Sequence, residues 1–373
     1  MKRLFMVSVL VIFLCMAFIA PVFAGWEFVD LNPAGSSLSE GHDVSNGQQV
    51  GSAKFGGYYG YYHAALWNGT AGSFVDLNPA GATYSSASGV SNGQQVGFAH
   101  IGNYNRAALW SGTASSFVDL NPVGATKSYA YGVSNGYQVG NANGHAALWN
   151  GTASSFVDLN PVGATGSVAY GVSNGYQVGD ANGNAALWNG TSSSFVDLKP
   201  AGSSLSVAYG VSNGQQVGFA RFGDDDRACL WSGTAGSFVD LHPDGAYVSR
   251  ANAVSNGYQV GDALFGGYYY ETDFSNGYPL ENPFFYYYYH AALWSGTAGS
   301  FVDLNPAGAN DSRAYGVSVI GNEIWVVGEV DSKAALWHYT PDASPVPEPS
   351  SIIGLLGFAP FMVALAKRKK VNN

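Results

Sequence analysis

Two tyrosine-rich segments are the parts of this sequence best suited to recognising a ligand. One reads Phe55-Gly56-Gly57-Tyr58-Tyr59-Gly60-Tyr61-Tyr62-His63. The other contains Tyr268-Tyr269-Tyr270 and Phe284-Phe285-Tyr286-Tyr287-Tyr288-Tyr289-His290. Tyrosine combines a large, stiff contact area with a polar tip, and a flat ring stacks on the face of a sugar. The candidate ligand-binding residues are therefore Tyr58, Tyr59, Tyr61, Tyr62, Tyr268, Tyr269, Tyr270, Tyr286, Tyr287, Tyr288 and Tyr289, with glycan as the expected ligand. The same tyrosines could equally extend two hairpins and pack on one another.

Other chemistry is sparse. His63, Arg106, His145, Asn184, Arg227, His290 and Lys333 each precede an Ala-Ala-Leu-Trp word or its variant, a polar series that either rings a channel or marks solvated strand starts. Three histidines on separate repeats make a poor metal set. Asp224-Asp225-Asp226 is the densest acid cluster and reads as an exposed polar loop before a calcium site. No Gly-x-Ser-x-Gly elbow lies between a strand and a helix, and no phosphate-binding glycine loop precedes one. No catalytic residue, metal ligand or cofactor site is assigned. Setting aside Cys15 in the N-terminal apolar run, Cys229 has no cysteine partner, and a buried small residue is its expected role.

Charge narrows the partners. The 373 residues hold 15 Lys and Arg against 25 Asp and Glu, a net charge of −10. Without the terminal segments, nine basic residues face 24 acidic ones, which excludes a nucleic-acid surface. With 50 Gly, 24 Tyr and 9 Trp, the composition is that of a turn-rich β protein.

The elements that must position these residues recur seven times. Phe-Val-Asp-Leu carries its Asp at 30, 76, 119, 158, 197, 240 and 303; Gly-Val-Ser-Asn-Gly or a variant carries its Val at 44, 90, 133, 172, 211, 254 and 317. Gln-Val-Gly and Ala-Ala-Leu-Trp follow in order, ending at Gly328 and Trp337 in the last copy. Asp to Val is 14 residues in every copy, and Trp to the next Asp is nine. In the first six units all length variation falls between the third and fourth words, which are 12, 9, 5, 5, 9 and 29 residues apart. Each word is a short apolar strand bounded by turn residues, and Asn-Gly is a hairpin signal. Four strands per unit, seven times over, predict an all-β, seven-bladed β-propeller of four-stranded blades. With the strands named A to D from Gly-Val-Ser, the seventh blade lacks strand D, and the N-terminal Phe28–Leu31 strand supplies it and closes the ring. An open β-solenoid is the alternative, but it needs dissimilar capping ends. The variable B–C connections, and with them the tyrosines, fall on one face.

Both ends read as address labels. Residues 1–24 have a basic start, an apolar run and a small residue at Ala24, the pattern of a signal peptide cleaved after Ala24 by signal peptidase. Residues 25–340 are the propeller and 341–351 a linker; a hydrophobic segment of 352–366 and a basic tail of 367–373 follow. Pro347-Glu348-Pro349, then the apolar run, then Lys367-Arg368-Lys369-Lys370, resembles the PEP-CTERM sorting signal over the last 29 residues. The resemblance implies recognition by an exosortase in the envelope of a Gram-negative bacterium, with membrane contact through 352–366 before the tail is removed. The alternative is a plain C-terminal anchor.

The Gly-Val-Ser … Val-Gly … Ala-Leu-Trp words over residues 26–337 also resemble the HAF repeat of exported bacterial proteins. Phe-Val-Asp-Leu-Asn-Pro stands where that repeat has a glycine-rich segment. The resemblance implies an extracellular location and no established chemistry. Together these features give an exported, non-enzymatic binding or structural protein of the cell envelope, outer surface or extracellular matrix, associated with exopolysaccharide. The alternative is a polysaccharide hydrolase or lyase on the same scaffold. Unmatched carboxylates facing each other in the channel would favour the enzyme; a wall of repeat residues alone would not.

Overall fold

The computed structural model describes residues 25–269, 272–273, 278–279 and 284–341. The signal segment with Ala24, the Pro347-Glu348-Pro349 motif, residues 352–366 and the basic Lys367–Lys370 cluster lie outside the described residues. Seven four-stranded antiparallel sheets form the seven blades of a propeller. Blade 1 shows the plan: strand A is Leu38–Ser45, B is Gln48–Phe55, C is Tyr61–Trp67 and D is the short Val75–Asp76. The remaining A strands are Ala82–Ser91, Ser128–Ser134, Ser167–Ser173, Leu205–Ser212, Val248–Ser255 and Ser312–Ile320, for blades 2 to 7.

The N-terminal strand Trp26–Asp30 is strand D of blade 7. It pairs antiparallel with Lys333–Tyr339, placing Phe28 opposite Trp337 and Asp30 opposite Ala335. The ring is thus closed by main-chain hydrogen bonds between the two ends of the fold, and that edge is not left open.

The repeat words each have a mechanical reason. Asn46 and Gly47 both have positive φ (49° and 77°), the two-residue turn that joins strands A and B. The glycine of Gln-Val-Gly is obligatory: a Cβ on Gly140 would lie 1.9 Å from the Tyr129 carbonyl oxygen. Trp, Leu and Ala of the last word are buried between neighbouring blades. Val50, Ala64 and Leu66 of blade 1, for example, pack on Ala87, Val90, Ala99 and Trp110 of blade 2. Burial of each such leucine contributes about 1.5–3 kcal/mol.

A polar relay joins the blades. Buried Ser128 accepts the Ala107 N–H of blade 2 at 2.9 Å and donates to Asn121 Oδ1 at 2.7 Å. At the closing seam, Ser39 accepts the Ala334 N–H at 2.9 Å and donates to Asn32 at 2.6 Å. The Asp of Phe-Val-Asp-Leu caps the D–A turn, as Asp76 Oδ1 does for the Asn78 amide at 2.8 Å.

Candidate functional site at the mouth of the central channel

Strand A lines the channel, and one irregularity of its pairing aims the side chains. In every blade the A–B register slips by one residue just before the Gly-Val-Ser word, leaving His42, Ser88, Tyr131, Tyr170, Tyr209, Asn252 and Tyr315 unpaired. An extra residue of this kind bends the strand and re-aims its side chain. All seven line one channel cavity of about 280 Å³. Tyrosine fills the position in four blades, and the rings touch in series: Tyr131 to Tyr170 at 5.4 Å, then Tyr170 to Tyr209 at 5.3 Å. Burial holds the Tyr131 and Tyr209 hydroxyls protonated, with pKa values pushed up to about 12.

Two residues nearer the B–C face, the blades divide. Blades 2 to 5 present Ser86, Tyr129, Val168 and Val207, with Phe98, Asn141, Asp180 and Phe219 opposite them on the B strands. Tyr129 stacks on Tyr131 at 6.1 Å and meets Phe98 edge-on at 5.3 Å. Blades 6, 7 and 1 present Arg250, Arg313 and Glu40 at that register, with Asp262 and Glu329 opposite the two arginines. The mouth is therefore aromatic at blades 2, 3 and 5 and ionic at blades 6, 7 and 1, with one further acid, Asp180, on blade 4.

The ionic side is tightly wired. Glu329 accepts from Arg313 Nη1 at 2.7 Å and from the Tyr315 hydroxyl at 2.9 Å. Asp226, almost fully buried, accepts from Arg250 Nη2 at 2.7 Å and Arg221 Nε at 2.6 Å. Burial works against its charge, but the two guanidiniums outweigh burial and its pKa is lowered. Asn252 donates to Asp262 at 3.1 Å; there burial prevails over Asn252 and the arginines, and the pKa is raised. His42 bridges the Ala87 carbonyl at 2.7 Å and Glu40 at 3.2 Å. Burial opposes its protonation, but the bonds to Glu40 and Ala87 prevail and raise its pKa.

Asp43 breaks the repeat most sharply. It stands where blades 2 to 5 and 7 have Gly89, Gly132, Gly171, Gly210 and Gly316, and blade 6 has Ala253. Its oxygens accept the Val44 and Val90 N–H groups at 2.8 and 2.9 Å, so it links blade 1 to blade 2 beside the channel. Burial nevertheless raises its pKa to about 6. A carboxyl poised there exchanges protons near neutral pH.

Of the expected tyrosines with described side chains, Tyr289 lines this mouth. Tyr289 lies against the Arg313 guanidinium at 4.2 Å and lines a second cavity with Arg250, Asp262 and Tyr315. Tyr62 sits where burial, Glu40 and Glu329 raise its pKa. Tyr59, Tyr61, Tyr286 and Tyr287 are exposed, Tyr287 meets Tyr247 edge-on at 5.6 Å, and Tyr288 packs on His290 at 5.1 Å. The side chains of Tyr58, Tyr268 and Tyr269, and all of Tyr270, lie outside those described. In blade 6 the insertion lengthens strands B and C to Tyr258–Tyr269 and Phe284–Trp294. Tyr268, Tyr269 and Tyr286 to Tyr289 thus lie on the strands of an extended hairpin, with Tyr289 at its root lining the channel mouth.

Two further expectations are corrected. Of the two readings of the polar series before Ala-Ala-Leu-Trp, the channel ring is set aside: the residues mark strand starts on the outer C strands, and six of the seven, all but Lys333, bond the repeat aspartate of the D strand. His63 meets Asp76 at 2.8 Å, Arg106 meets Asp119 at 2.7 Å, and His290 meets Asp303 at 2.7 Å. Asp226 is not part of an exposed loop but the buried counter-ion of Arg221 and Arg250. The channel residues His42, Asp43, Arg250, Asp262, Arg313 and Glu329 escape a search for chemical motifs. Their signal is departure from the repeat at a fixed register.

No protein-family model and no curated protein sequence matches the chain. Solved structures match in fold. Puromycin hydrolase aligns with a TM-score of 0.45 and 11% identity over 80% of this chain, which spans about half (52%) of that protein's length. The β-propeller domain of the Trilobed protease from Pyrococcus furiosus aligns at 0.44 and 9%, over 82% of this chain and 95% of that one. Oligogalacturonate lyase in complex with manganese aligns at 0.44 and 9%, over 85% and 96%. These neighbours are a hydrolase, a protease domain and a lyase. The expectation of a non-enzymatic protein is corrected, because the wall and rim of the channel are not built of repeat residues alone: Asp43 lines the channel cavity, Asp262 the cavity beside it, and Glu40 and Glu329 a third.

Proposed function

We propose that the protein is an exported propeller that binds and cleaves polysaccharide, as a hydrolase or lyase, at the B–C mouth of its central channel. One observation carries the reading: the residues that break the sevenfold repeat gather at this mouth, acids and arginines on blades 6, 7 and 1 and an acid, Asp180, on blade 4, with aromatic side chains on blades 2, 3 and 5. The aromatic side supplies stacking faces for sugar rings. Asp43, with its pKa raised to about 6, is the acid–base group. Glu40 and Glu329, which line a neighbouring cavity, are the accompanying carboxylates; the bond to His42 lowers the Glu40 pKa, and Glu329 accepts from Arg313 Nη1.

Export belongs to the same proposal. The 1–24 segment and the Pro347-Glu348-Pro349 signal with its basic tail support passage through signal peptidase and exosortase. They also support a final place at the envelope, outer surface or matrix, where exopolysaccharide is the available substrate. The resemblance of the blades to HAF repeats supports the same location.

The test is incubation of the purified full-length chain with neutral and acidic polysaccharides, following new reducing ends and unsaturated products. Cleavage that drops by about 10²-fold or more in Asp43→Asn, with unchanged thermal stability, supports the proposal. A wild-type protein that neither binds nor cleaves any member of the panel refutes it.

A further inference from the structure

We propose that the cavity between blades 6 and 7 holds an acidic sugar residue by its carboxylate, between Arg250 and Arg313. This rests on the reading of the channel mouth as a polysaccharide site and names the class of chain it takes.

The cavity, about 330 Å³, is lined by Arg250, Arg313, Asp262, Tyr209, Tyr289 and Tyr315, among others. That is room for a sugar unit, at the lower end of small-ligand sites of about 300–1,000 Å³. Cations are scarce in this protein: only nine Lys and Arg lie between the terminal segments. Two of them occupy the same register on neighbouring blades and converge here, where blades 2 to 5 have Ser86, Tyr129, Val168 and Val207.

Each guanidinium is held from one side and open on another. Asp226 takes Nε and Nη2 of Arg250, at 3.3 and 2.7 Å. Glu329 takes Nη1 of Arg313 at 2.7 Å, and Asp311 takes its Nη2 at 3.4 Å. A guanidinium carries five N–H donors in a rigid fork, so Nη1 of Arg250 and Nε of Arg313 retain donors for a ligand. The counter-ions fix the two forks in advance, which lowers the entropy lost on binding. The arginine side chains remain 38% and 30% exposed, so solvent and ligand can reach them. Asp262, the acid among the lining residues named above, is buried and pushed toward its neutral form, which weakens its repulsion of an anion. The Tyr289 ring, against Arg313, offers a face for the sugar ring beside its charged group.

The experiment is calorimetric titration of the full-length chain with oligosaccharides of a uronic acid, the same oligosaccharides after reduction of the carboxyl groups to alcohols, and a sulfated neutral chain. The uronate chain is expected to bind. Carboxyl reduction, Arg250→Gln and Arg313→Gln are each expected to weaken binding roughly tenfold or more, whereas Arg106→Gln on the outer rim leaves it unchanged. Equal binding of the carboxyl-reduced chain overturns this inference and leaves the polysaccharide site standing. Tighter binding of the sulfated chain overturns the assignment to a carboxylate. A wild-type chain that binds none of them removes both the inference and the reading beneath it. Should either arginine variant unfold, the comparison of native and reduced oligosaccharides on the wild-type protein still decides.

Discussion

Asp43→Ala is the perturbation whose energetics follow most directly from the structure. Burial moves the Asp43 carboxyl from an ordinary value of 3.8 up to about 6. At about 1.4 kcal/mol per pKa unit, this corresponds to about 3 kcal/mol. The sign follows from proton binding. Between about pH 4 and about pH 6 the folded chain keeps a proton on Asp43 that the unfolded chain has released. The Asp43 contribution to stability is therefore fully present below the unfolded pKa and is lost as pH rises through the folded one. Alanine occupies the same register as Ala253 of blade 6, so the backbone accepts it. Urea unfolding of both proteins at several pH values isolates the effect, because other titrating groups cancel in the difference. Relative to Asp43→Ala, the wild type is expected to lose about 2.5 kcal/mol between about pH 4 and about pH 7. A difference that stays flat, or that rises with pH, refutes the claim that burial dominates at this carboxyl.

Other expectations concern the scaffold. Deleting Trp26–Pro33 exposes the Lys333–Tyr339 edge of blade 7, and scattering and thermal melting should report aggregation and a large loss of stability. An unchanged melt would contradict closure of the ring. Gly140→Ala forces a Cβ against the Tyr129 carbonyl at 1.9 Å and should cost about 2–3 kcal/mol in chemical unfolding; a neutral result means that strand A can shift. Ser128→Ala leaves the buried Ala107 N–H without its acceptor, and a loss of about 1–3 kcal/mol is expected by the same measurement. Arg221→Gln removes one of two cations on buried Asp226, and the Asp226 pKa followed by NMR should rise, with Arg250 still holding it below a free buried acid.

The scaffold was readable because it is periodic. Phe-Val-Asp-Leu fourteen residues before each Val, and Trp nine before the next Asp, fix strand order and blade number, and the unpaired Phe28–Leu31 word fixes the closure. The site was not readable in the same way. Composition draws the eye to the tyrosine runs, but Tyr59, Tyr61, Tyr286 and Tyr287 are exposed, whereas Tyr289, at the root of its hairpin, lines a cavity of the channel mouth. The polar residues before Ala-Ala-Leu-Trp look like a ring until the D strand places Asp76 or Asp119 beside them. The inward aim of Tyr131, Asn252 and Tyr315 depends on a one-residue slip of register, which a hydrophobic pattern does not reveal. Arg250, Arg313 and Asp43 become visible once the seven A strands are superposed and the exceptions noted.

A crystal structure of the protein with a bound uronate oligosaccharide addresses the central claim most directly. Sugar rings over Tyr131 and Tyr170, with a carboxylate between Arg250 and Arg313, are the expected result. An oligosaccharide seated on Tyr59 and Tyr287, or on the A–B turns at Asn46 and Asn135, would show that the departures from the repeat do not make the site.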